Sequence, residues 1–286
     1  MRRIAVPLFA LAVAFAPLAF AEAPPPSPVE HPLAVVDALR ANDAEAFAEA
    51  VSHKSSDALA REWETKRAKA ASDEESPTRD ADAHRAWSML RTKEGTAALA
   101  DELHPKLTEK ATTAVLQFNF GLAAMLTAIA SEAELTAEES RQASQLVLAV
   151  QRWANGVDWA DRARLERALG AVASFVRASG LESPRELELL AYEDALALGD
   201  DAIAMVKDVV SAYELDLDAI LSSIEIEELA RDGERATVRT RLTVFAVPLT
   251  ITRELEYRAG RWVDTRDGHS EQGHDADEAK PAAKTE

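Results

Sequence analysis

Apolar residues recur at helical spacing along most of this chain and switch to strict alternation only toward its C-terminal end. Val35, Val36 and Leu39 begin a helical face, and Asn42-Asp43-Ala44-Glu45 has the form of a capping box ahead of Phe47 and Val51. Leu59 and Trp63 continue at i, i+4 spacing. Residues 71–80 are polar, contain a proline and read as a loop. Trp87 and Leu90 resume a helix. Leu99 and Leu103 lie on another, which is expected to end before His104-Pro105, because a residue preceding proline is pushed out of the helical region.

The stretch 108–131 carries the plainest helical stripe: Ala111, Val115, Phe118, Leu122, Met125, Leu126 and Ile129. Leu116, Phe120, Ala123 and Ala124 lie on its other side, so the helix is apolar nearly all round. That pattern predicts burial at the centre of a bundle. A membrane span competes with that reading, but Thr112, Thr113, Gln117, Asn119 and Thr127 dilute the stretch, so burial within protein is the expectation.

Further helices are well punctuated. Thr136-Ala137-Glu138-Glu139 forms a capping box ahead of Ala143, Leu146, Val147, Val150, Trp153 and Ala154, and Asn155-Gly156 marks a stop. Asp158 can cap the next helix, whose face runs from Leu165 to Val176 and ends at Gly180. Ser183-Pro184-Arg185-Glu186 opens a helix carrying Leu187, Leu190 and Leu198, with Gly199 as its expected break. Met205, Val206, Val209 and Val210 mark one more helix, and Leu217 to Leu221 a last short turn.

From Ile224 the period becomes two. Ile226, then Val238 to Val244, then Leu249 to Tyr257, then Trp262-Val263 read as four strands, joined at Asp232-Gly233, around Pro248 and at Ala259-Gly260. The predicted fold class is therefore α+β: a mostly α-helical bundle with a small C-terminal four-stranded antiparallel meander packed on it. The expected organisation is a signal peptide over 1–21, a Pro-rich tether over 22–32, a helical body over 33–222, the meander over 223–264 and a disordered acidic tail over 265–286.

The leader rests on Arg2 and Arg3, an apolar stretch over 4–18, and small residues in Ala19-Phe20-Ala21. Cleavage is expected after Ala21; cutting after Ala23 would leave Pro24 at the new terminus. The implied location is periplasmic or secreted, with no membrane span once the leader is removed. Without cysteine there is no lipidation site at the cleavage point, no disulfide, no thiolate nucleophile and no Cys-based metal site. The 286 residues carry 32 basic and 50 acidic groups, net −18, and loss of Arg2 and Arg3 makes the balance more acidic. No stripe of Lys and Arg suits a phosphate backbone, so nucleic acid is not an expected partner.

Asp232-Gly233 before an alternating strand, then Pro248-Leu249-Thr250 and Gly260-Arg261-Trp262-Val263-Asp264, resembles the closing meander of small exported NTF2-like proteins. Residues 35–51 resemble the opening helical pair of such domains. As a whole the chain is similar to uncharacterised exported bacterial proteins with helices first and a meander last. The resemblance transfers no functional residue.

The catalytic motifs sought are absent: no Gly-x-Ser-x-Gly, Ser-x-x-Lys, His-Glu-x-x-His, Walker loop or Gly-x-Gly-x-x-Gly. No catalytic residue, metal site or cofactor is expected. His269 and His274 with Glu271 and Asp275 could hold a metal only weakly, and a solvated tail explains them better. Two residues are candidate ligand contacts. Asp194, seven residues after Leu187, is either a paired structural carboxylate or a pocket acid, and Asn119, between two phenylalanines, is a buried polar group or a cavity lining. Trp153 and Trp159 read as packing aromatics in preference to a sugar platform. The leading expectation is a non-enzymatic periplasmic interaction module contacting another cell-envelope protein. The alternatives are a binder of a small apolar ligand between the central helix and the sheet, and a carboxylate-based hydrolase acting on envelope glycan.

Overall fold

The structure, a computed structural model, describes residues 25–52, 54–72, 77–131, 135–258 and 260–265. The expected leader, the first residues of the tether and the tail from residue 266, with His269 and His274, lie outside the described residues.

The α+β expectation holds: ten helices precede a four-stranded sheet among the described residues. The helices are α1 (Glu30–Ala41), α2 (Ala44–Ser52), α3 (Ser56–Ser72), α4 (Pro77–Leu90), α5 (Lys93–Ser131), α6 (Ala137–Gly156), α7 (Arg162–Ser179), α8 (Pro184–Leu189), α9 (Tyr192–Ser211) and α10 (Leu217–Ser222). The strands β1 (Glu225–Asp232), β2 (Arg235–Val244), β3 (Val247–Arg258) and β4 (Arg261–Asp264) pair in chain order, every pair antiparallel.

The core has two centres. Trp87 and Leu90 of α4, Leu99 of α5, and Ala173 and Val176 of α7 form the first. The second lies where Ala149 of α6 meets Val247 and Leu249 of β3. There the Gln142 side chain also accepts the Thr250 backbone N–H at 2.7 Å, so the meander is tied to the helical body by α6. Thr136 and Glu139 close a capping box at the start of α6, as the sequence predicts.

Several boundaries differ from expectation. Asn42 does not cap α2; it ends α1 in the left-handed conformation at φ 57°, and Asp43 accepts the Ala46 N–H instead. The expected loop over 71–80 is shorter, with α3 running to Ser72 and α4 starting at Pro77. Helix α5 does not stop before Pro105 but continues through it for 39 residues. The missing N–H costs about 3 kcal/mol, and apolar burial of Leu99 and Ala100 on one side and Leu122 on the other favours continuity. Asp161 caps α7, while Asp158 accepts the Ala160 N–H.

Gly199 does not break a helix either. It lies inside α9, where a β-carbon would sit 2.6 Å from the Ala44 β-carbon, so it marks a close approach of α9 to α2. The next residue, Asp200, accepts the Ala44 N–H at 2.7 Å and so caps α2 from a distant segment. The actual break falls at Leu190-Ala191, both in extended conformation.

The N-terminal tether is docked where it is described. Pro28 is fully buried, and the Pro26 carbonyl accepts the Trp262 indole N–H at 2.8 Å and the Arg231 guanidinium at 2.5 Å. That guanidinium also lies 5.3 Å from the Trp262 ring centroid. Since Arg231 is in β1 and Trp262 in β4, side chains of the first and last strands meet across the sheet. Pro248 lies within β3 opposite Thr243. The Thr243 N–H points to Ser223 Oγ at 2.8 Å, away from β3, so the missing donor of Pro248 leaves no gap in the ladder.

Candidate functional site

The two ligand-contact candidates do not converge. The break at Leu190-Ala191 resets the helical phase between Leu187 and Asp194, so Asp194 leaves the apolar face and sits exposed in the first turn of α9. There its charge suits the positive end of the helix. Asn119 is half-buried and donates to Asn155 Oδ1 at 2.8 Å, linking α5 to α6; its own Oδ1 is buried without a partner among the described residues.

The largest departure from the sequence reading concerns residues 111–131 of α5. This segment contains no Asp, Glu, Lys or Arg, yet only Leu122 is buried. One stripe, which includes Val115, Asn119, Leu126 and Ile129, is partly covered, and the remainder faces solvent. Phe120 is 68% exposed and Phe118 42%, with Leu116 and Met125 also exposed. This segment of α5 is therefore not the centre of a bundle. Among the described residues α5 is the one helix long and apolar enough to cross a membrane.

An apolar groove of about 410 Å³ opens beside the first half of this segment. Leu107, Ala111, Val115 and Phe118 of α5 form one wall; Trp153, Trp159 and Tyr213 form the other. The rings support one another: Trp153 meets Trp159 edge-on at 5.2 Å, and Trp159 stacks on Tyr213 at 5.3 Å. Both indole N–H groups are already used, Trp153 donating to the Tyr213 carbonyl and Trp159 to the Ala154 carbonyl, each at 2.8 Å. The groove thus offers ring faces with few polar groups, Lys110 being the charged residue of its lining. Burial pushes the Tyr213 phenol above its ordinary pKa, so it stays protonated at neutral pH. Phe245 backs Trp153 at 5.2 Å from the β2–β3 turn, where Phe245 and Ala246 adopt φ of 50° and 61°. Positive φ in both turn residues suits a two-residue hairpin but normally selects Asn or Gly.

The space between helix and sheet differs from what an apolar ligand needs. The helix on the sheet is α6, not α5, and the groove there is lined by Thr136, Glu138, Gln142, Thr237, Thr250 and Thr252 among others. Hydrogen bonds from Arg141 and then Gln142 hold Glu138 below the ordinary carboxylate range, the wrong direction for a general acid. Glu139 is engaged in the capping box. Among the described residues no group of three or more His, Asp or Glu is placed to hold a metal.

Comparison of the chain with protein-family models, with curated proteins and with solved structures finds no match. The sequence signals missed both sites for one reason: periodicity reports how apolar a helix is, not which of its faces another element covers.

Proposed function

We propose that this chain is a non-enzymatic interaction module of the cell envelope whose contact surface is the outward face of α5. The observation that carries the reading is the charge-free, solvent-facing segment 111–131 on an otherwise strongly acidic chain. Leaving several large apolar side chains in water forfeits about 1.5–3 kcal/mol for each one that burial would gain, and contiguous exposed apolar patches mark contact sites. Affinity capture from an envelope extract, with wild type beside Phe120→Glu and Met125→Glu, tests it. Both positions are exposed, so the variants should keep the wild-type circular dichroism while losing the captured species. Equal recovery by all three proteins would refute the reading.

A second reading has its own support in the aromatic wall of the groove. Trp153, Trp159 and Tyr213 facing Val115 and Phe118 suit an uncharged apolar molecule. Titration with the uncharged probe N-phenyl-1-naphthylamine, read as quenching of tryptophan fluorescence, should give saturable binding that Val115→Trp abolishes by filling the groove. Non-saturable quenching, or binding untouched by Val115→Trp, would exclude it.

A further inference from the structure

From the pattern on α5 we infer that its outward face pairs with the same face of a second copy of this chain, antiparallel, about a twofold axis beside residue 122. The inference rests on the reading of α5 as the contact surface and adds the identity of the partner.

The residues farthest from the covered stripe are Thr113, Gln117, Phe120, Ala124, Thr127 and Ser131, all exposed. Their spacing alternates four and three, the seam along which two helices pack lengthwise. Reversing the seam about residue 122 exchanges 113 with 131, 117 with 127, and 120 with 124. Each Phe120 then meets the Ala124 of the other copy, with Gly121 and Ala128 beside it, and Gly121 faces open space. Large side chain falls on small side chain twice, which is the self-complementarity a twofold contact requires. At the flanks the polar residues match too, Gln117 against Thr127 and Thr113 against Ser131. Thr127 and Ser131 donate their hydroxyls to carbonyls of their own helix, so little polar surface is stripped of water there.

Charge on the seam permits this partner. Two chains of net −18 repel across most of their surfaces, and a seam free of ionisable groups is where copies can approach without opposing carboxylates. A lipid face would not need polar residues at four of six seam positions. The seam is about 30 Å long at about 1.5 Å per residue and buries less than the roughly 800 Å² per partner of a standard interface. Pairing is therefore reversible and concentration-dependent.

Because the chain has no cysteine, single thiols report the geometry directly. Gln117→Cys and Thr127→Cys are made separately in the full-length mature chain and treated with a short bismaleimide, alone and mixed. In the antiparallel pair, like positions lie about 15 Å apart along the seam, whereas 117 of one copy faces 127 of the other. The mixture should cross-link roughly tenfold or more faster than either variant alone, through the raised effective concentration. Adding Phe120→Glu to both should remove that advantage, and sedimentation velocity should show dimer rising with concentration for wild type only. Equal cross-linking by each variant alone would mean a parallel pair and would overturn the inference. So would a monomer at every concentration, or co-sedimentation of that monomer with phosphatidylglycerol–phosphatidylethanolamine vesicles. A monomer whose Phe120→Glu variant still loses an envelope partner would overturn this inference alone and leave the proposed function standing.

Discussion

Replacing Gly199 by alanine tests the close approach of α9 to α2. In an exposed helix interior this change stabilises by about 1 kcal/mol, because alanine loses less backbone entropy than glycine. Here the new β-carbon would lie 2.6 Å from the Ala44 β-carbon, which belongs to a backbone position and cannot rotate away. Forcing the two helices apart costs about 1–3 kcal/mol, the range for added methyl groups in packed sites. It would also stretch the 2.7 Å bond between Asp200 and the Ala44 N–H. The net change for Gly199→Ala is thus a loss of up to about 2 kcal/mol. In an Ala44→Gly background the obstructing atom is gone, and the same change should stabilise by about 1 kcal/mol. Urea denaturation of the four proteins in the cycle measures both steps at constant m, and the coupling should come to about 1–3 kcal/mol. If Gly199→Ala stabilised both backgrounds equally, the helices would not meet at Gly199, and the placement of α2 would be wrong.

Leu99→Ala should lower stability by about 2–5 kcal/mol through a cavity beside Trp87 and Val176, whereas Phe118→Ala, on a half-open ring, should cost less than about 1.5 kcal/mol; equal urea midpoints would refute the outward orientation of α5. Thr136→Ala removes one half of the capping box of α6 and should cost about 1 kcal/mol, while Asp194→Asn, exposed in the first turn of α9, should stay within about 0.5 kcal/mol; a large loss at Asp194 in thermal melts would restore it as a structural carboxylate. Hydrogen bonds from Arg85 and then Lys106 pull the Glu102 carboxyl down to about 2. Its folded pKa lies below the unfolded one, so its contribution is present above the ordinary value of 4.5 and is lost as pH falls toward about 2. Carboxyl carbon shifts in an NMR titration should place its midpoint near that value and return it upward in Arg85→Ala; a midpoint already at the ordinary value would contradict the ion pair.

The meander was legible because alternation, Asp232-Gly233 and Gly260 act locally, and the observed strands start and end within a few residues of those signals. The capping box at Thr136 was legible for the same reason. The packing of the meander on the helices was inferred correctly, but three inferences from a local signal to a distant neighbour failed. Gly199 looks like a breaker until Ala44 is brought against it. Pro105 looks like a stop until α5 has apolar burial on both sides of it. Asp194 looks inward only if α8 and α9 are one helix, and two extended residues at 190 and 191 undo that. The candidate site was hidden in the same way. Trp153 and Trp159 were visible as aromatics near a turn, but nothing local announces Tyr213, which arrives from the far end of α9.

The docked segment at Pro26 has a consequence for the order of events during synthesis. Its carbonyl is held by side chains 205 and 236 positions later in the chain, Arg231 and Trp262. A nascent chain makes Pro26 early and Trp262 late, so the helices can condense long before this latch closes. Closing it brings together residues separated by most of the polypeptide, an entropic cost that grows only slowly with that separation but falls at the end of folding. Until then the sheet has no clasp between its first and last strands. A chain interrupted between β1 and β4 would keep the Arg231 contact to Pro25 and Pro26 and lack the one from Trp262. Its first described residues would then be held by one side chain in place of two, and faster cleavage there by a protease would report the missing strand.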